Sequence, residues 1–88
     1  MDEEILRELD HISFYVLPDN KGMLYLKKNN PIKYYQLIID YLKGQIRTEK
    51  DGLILDSGTI LPHVVNDNAI AKLEEQISWC EKIISELN

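Results

Sequence analysis

The sequence predicts an α+β fold: two β-hairpins, each followed by a helix, behind a short N-terminal helix (α-ββα-ββα), in a single domain spanning 1–88. Three observations carry this expectation. Two runs of β-branched, aromatic and aliphatic residues are each split by turn chemistry, Pro18-Asp19-Asn20-Lys21-Gly22 in the first and Ser57-Gly58 in the second. Each run is followed by an asparagine suited to cap a helix, Asn30 and then Asn66 in Asn66-Asp67-Asn68. Gly22 precedes Asn30 by eight positions and Gly58 precedes Asn66 by eight, a faint internal repeat.

Taken in order, Asp2-Glu3-Glu4 before Ile5, Leu6 and Leu9 reads as a short helix, with Asp2 as its cap and acids facing the positive end of its dipole. Ile12–Leu17 and Met23–Lys28 read as paired strands that place Phe14 opposite Leu26, Val16 opposite Leu24, and Tyr15 opposite Tyr25. Pro31 suits the first turn of a helix capped by Asn30, running to about Leu42 and stopping near Gly44. In that helix Ile32, Tyr35, Ile38, Ile39 and Leu42 form the main apolar stripe, and Tyr34, Leu37 and Tyr41 an adjoining shoulder. An arc this wide implies burial on two sides. Gly52–Asp56 and Thr59–Val65 read as the second hairpin, with Pro62 marking an edge. In the last helix Ile70, Leu73, Ile77, Cys80, Ile84 and Leu87 are spaced 3-4-3-4-3, a heptad seam that in so short a chain packs on its own sheet.

Composition narrows the function classes. At 88 residues and 44% hydrophobic content the chain is globular with a thin core. One cysteine, Cys80, forms no internal disulfide, and the acidic start MDEEILRELD is unlike a signal peptide. No apolar run approaches the roughly 20 residues of a membrane span. A soluble, cytoplasmic protein is expected. The net charge of −5 is unevenly placed: residues 21–50 carry seven bases and two acids, while the flanking segments each sum to −5. Lysines outnumber arginines eight to two and Ile and Asn are abundant, which suggests an AT-rich coding genome such as a low-GC bacterium or its phage.

The motif Ile54-Leu55-Asp56-Ser57-Gly58-Thr59 matches the apolar-apolar-D-[ST]-G-[ST] pattern of aspartic proteases. A half-size protease subunit also needs a glycine-rich flap and a second apolar-apolar-Gly loop, and no glycine follows Gly58. Asp56 is therefore read as a turn residue. Cys80 with His11 or His63 would make a thiol nucleophile and base, but a cysteine on a seam is usually a buried small hydrophobe. The two histidines have no metal-ligand spacing, and no phosphate-loop, dinucleotide, zincin or serine-elbow motif occurs. Neither enzyme nor cofactor is expected.

Two binding surfaces stand out. Lys27 and Lys28 precede a helix N-terminus, with Asn30, Lys33 and Tyr34 in its first turn; together they offer an anion site for a phosphorylated small ligand or nucleotide. Extended duplex DNA is disfavoured, since flanking acids repel phosphates and only two arginines are present. Trp79 lies off the seam beside Ile83, and with Leu37 and Tyr41 it suggests a protein interface. The leading expectation is a non-enzymatic, homo-oligomeric module that binds a larger protein as inhibitor or adaptor, such as a phage or mobile-element protein blocking host defence. The alternative is an oligomeric binder of a phosphorylated ligand at residues 27–34.

Overall fold

The computed structural model describes residues 3–16, 19–51 and 65–88, and these form four helices with no strand among them: α1 (Glu3–Val16), α2 (Asn20–Asn29), α3 (Pro31–Asp51) and α4 (Asp67–Leu87). The α+β expectation is thereby overturned, and the described residues form a helical bundle. The first hairpin is two helices instead. The second, at 52–65, lies outside the described residues except for Val65, as does Asp2.

The reason lies in the longer pattern. Ile12–Leu17 looks β-like in isolation, but Ile5, Leu9 and Ser13 are buried, and Leu6, Ile12 and Val16 are half-buried, at helical spacing along α1. That stripe leaves Phe14 and Tyr15 outside. In α2 the buried Met23 and half-buried Leu26 sit three apart, again on one helix face. The turn-like Pro18–Gly22 cluster contains a helix cap: the Asp19 carboxylate accepts the Lys21 N–H at 3.0 Å, and its carbonyl accepts the Met23 N–H at 3.1 Å. Asp and Asn serve turns and caps through the same side-chain bonds, so local chemistry alone does not separate them.

One residue joins α2 to α3. The Asn30 N–H donates to the Leu26 carbonyl at 2.7 Å, closing α2. Its carbonyl then accepts the Tyr34 N–H at 3.1 Å, and its side-chain oxygen the Lys33 N–H at 3.3 Å, opening α3. The cap expected at Asn30 is present. The expected stop near Gly44 is not, because α3 continues to Asp51. A single helical glycine costs only about 1 kcal/mol, and Ile46 beyond it packs against the core. A Cβ added at Gly44 would meet nothing within 4 Å. Gly44→Ala should therefore stabilise the protein by about 0.5–1 kcal/mol, read as a higher urea midpoint with an unchanged slope.

The core joins Ile5 and Leu9 of α1, Met23 of α2, Tyr34, Tyr35, Ile38, Ile39 and Leu42 of α3, and Ile77, Cys80 and Ile83 of α4. α3 is the central element, in contact with each of the other three helices, most extensively with α4. Its adjacent Tyr34 and Tyr35, about 100° apart on the helix, are both buried, with ring centroids 4.9 Å apart at 86°. Neighbouring helices thus cover Tyr34, Tyr35, Ile38, Ile39 and Leu42, while Ile32, Leu37 and Tyr41 stay half-buried.

α4 opens where expected, with the Asn66 side chain accepting the Ala69 N–H at 3.1 Å. Its buried arc is broader than the heptad seam. Ile70, Ile77 and Cys80 are buried, but so are Gln76 and Ile83 on one flank, while Leu87 is 46% exposed. α4 packs chiefly along α3, with a small contact to α1, rather than on a sheet. No helix among the described residues is long and apolar enough to cross a membrane.

Candidate functional site

The described surface is distinguished by an open cleft where α1, α2 and the start of α3 meet. It is lined by Asp10, Ser13, Phe14, Met23, Leu24, Lys27 and Tyr34, with a volume of about 180 Å³. Its floor is polar and fully engaged. The Lys27 ammonium bonds both Asp10 carboxylate oxygens at 2.8 Å, and the Tyr34 hydroxyl donates to Asp10 Oδ1 at 3.0 Å. Ser13 donates back to the Asp10 carbonyl. Three helices are therefore tied together at one carboxylate. The cleft walls are apolar, and two of their side chains face water: Phe14 is 56% and Leu24 67% exposed. Tyr15 (64%) and Tyr25 (68%), next to them in sequence, are equally open.

The residues expected to form an anion site meet a different fate. Lys27 and Tyr34 do converge, but on Asp10 rather than on an open anion site, and Lys27 also stands 6.0 Å from the Tyr34 ring centroid. Tyr34 is only 2% exposed. Lys28 and Lys33 are exposed, and Asn30 is occupied as a cap. Of the four interface candidates, Ile83 is buried in the core, while Leu37, Tyr41 and Trp79 are half-buried. Tyr41 stacks on Tyr15 at 6.5 Å and 14°, and the Lys82 ammonium sits 4.8 Å from the Trp79 ring centroid. Asp10, Phe14 and Leu24 do not stand out in the sequence as site residues. Phe14 is detectable there as an aromatic off the stripe defined by Leu9, Ser13 and Val16, but reading residues 12–17 as a strand conceals it.

Of the groups with catalytic potential, Cys80 is fully buried, and burial first, then the Glu81 charge, pushes its thiol up from 9.0 to about 12. A thiol in that state is a poor nucleophile. His11 is exposed and makes edge contacts with Phe14 and Tyr15 at 6.4 and 5.6 Å. Asp56, Ser57, Gly58 and His63 lie outside the described residues. Among the described residues no group of three His, Cys, Asp or Glu side chains is placed to hold a metal ion.

The raised groups predict alkaline lability. Desolvation by burial is the main cause that holds the Tyr34 and Tyr35 hydroxyls above the ordinary 10.0, with the Asp10 charge adding to it. Folding holds these protons and that of Cys80 more tightly than the unfolded chain does. The stability they contribute is therefore complete below the unfolded values near 9 and 10 and is lost as pH rises through the folded ones. The urea midpoint should hold between about pH 7 and 8.5 and fall progressively above about pH 9. A flat profile to about pH 11 would contradict these assignments.

No family model matches the chain, and no curated protein or solved structure shows a significant match to it.

Proposed function

We propose that this protein acts by stoichiometric association with a larger protein, as an inhibitor or adaptor, and that the α1–α2 face is its contact surface. The observation that carries this reading is the pair Phe14 and Leu24. These large apolar side chains stand on two different helices, flank one cleft, and are each more than half exposed. Exposed apolar groups that gather beside a cleft are candidates for an association surface. The Asp10 carboxylate is occupied by Lys27 and Tyr34, an arrangement that ties the three helices together beneath the contact surface.

Binding of a phosphorylated ligand at residues 27–34 has less support. Lys27 is engaged by Asp10, Tyr34 is buried, and about 180 Å³ is below the roughly 300–1,000 Å³ of ligand pockets.

The test is native mass spectrometry of the protein recovered from the cells that make it. A complex of defined stoichiometry with a larger protein is expected, lost in Leu24→Asp and retained in Lys33→Ala. Recovery with a bound nucleotide and no protein would refute the reading. Leu24 is 67% exposed, so Leu24→Asp should leave the helical circular dichroism and melting curve unchanged.

A further inference from the structure

We infer that the partner presents an acidic amphipathic segment, one large apolar side chain of which enters the α1–α2 cleft while its carboxylates face the lysines of α2 and the start of α3. The inference rests on the reading above and specifies the chemistry of the partner. Its first support is charge segregation. Residues 20–39 carry four lysines (Lys21, Lys27, Lys28 and Lys33) and no acid, while the rest of the chain has six bases against fifteen acids. The segregation is spatial as well. All four lysines are exposed, three of them on α2, the helix that carries Leu24 and Tyr25. Lys27 is paired with Asp10 of α1. The first turns of α1 and α4 contain acids that complement the helix dipole, whereas those of α2 and α3 contain none, and α3 carries Lys33 there. Asp19 caps α2, but α3 is capped by the neutral Asn30, and an acidic partner would supply negative charge there.

The second support is the size of the cleft. A cavity of about 150 Å³ is enough to hold a benzene ring, so about 180 Å³ admits a single Phe or Leu side chain. An amphipathic helix lays its apolar face into a groove through anchors about a turn apart, and this cleft has room for one of them. Nucleic acid would find the same lysines. It would also meet the carboxylates of Asp10 and Asp19, which repel phosphates, and the cleft lining contains no arginine.

The probe is a fluorescein-labelled helical peptide of about 16 residues with Leu and Phe on one face and Glu on the other, compared by anisotropy with a version carrying Lys for every Glu. The acidic peptide should saturate one site per chain and bind at least tenfold tighter than the basic one. Leu24→Asp, and separately Lys21→Glu with Lys28→Glu, should each weaken it at least tenfold, and added salt should weaken it further. Equal binding of both peptides, no effect of Leu24→Asp, or absence of saturable binding would overturn the inference. So would preferential binding of labelled single-stranded RNA at the same face. Self-association abolished by Leu24→Asp, read by sedimentation equilibrium, would overturn it in favour of a second copy. Benzoylphenylalanine in place of Leu24 separates the two levels. A cellular protein crosslinked through a neutral or basic segment would sink the acidic partner but keep the association surface; no crosslinked protein at all would sink both.

Discussion

Leu9→Ala should be severely destabilising, lowering the unfolding free energy by about 2–5 kcal/mol. Leu9 is fully buried on α1 and belongs to the core shared with α3 and α4. Truncation there removes apolar contact from the helix that supplies half of the cleft. A domain of this size has a total stability of roughly 4–13 kcal/mol, so the loss is a large fraction of the whole. Melting should drop by about 10 °C or more. If Leu9→Ala melts within about 2 °C of the parent, α1 is not docked as described.

Asp10→Ala should be the costliest change among the polar groups, at about 1–2 kcal/mol. The ion pair with Lys27 contributes little of that, since both side chains are about two-fifths exposed (41% and 42%) and such pairs are screened. The larger part is the buried Tyr34 hydroxyl, which loses its acceptor and incurs a desolvation cost of about 1–3 kcal/mol. Tyr34 lines an open cleft, and water reaching its hydroxyl keeps the expected value at the low end. A double-mutant cycle isolates the effect. In a Tyr34→Phe background, removing Asp10 should cost well under about 1 kcal/mol, because no buried hydroxyl remains to be orphaned. An equal cost in both backgrounds would show that Asp10 acts through Lys27 alone.

The same two residues show how far the site is legible in the sequence. Lys27 and Tyr34 are recognisable as neighbours because they flank one cap, Asn30. Their shared partner is not, since Asp10 lies 17 and 24 positions away and only the packing of α1 brings it near. The exposed pair Phe14 and Leu24 is hidden for a different reason. Six residues of β-branched and aromatic character fit a strand locally. The competing helical stripe becomes clear only when Ile5 and Leu9 are counted with Ile12, Ser13 and Val16. Propensity over a short window loses to periodicity over a longer one.

The sequence by itself determined the helix starts at Asn30 and Asn66, the burial of Tyr35, Ile38, Ile39 and Leu42 along one stripe, the inward position of Cys80 and the uneven placement of charge. All but the last follow from interactions within a few residues: a side chain on a nearby N–H, or a stripe repeating every turn. Only the tertiary structure decided that α1 and α2 stand where a hairpin was expected, that α3 runs through Gly44, that Ile83 belongs inside, and that Asp10 ties three helices beneath an open cleft. Those outcomes depend on which apolar faces find cover. Burial against a distant helix outweighs the small local preferences that favour a strand or a stop.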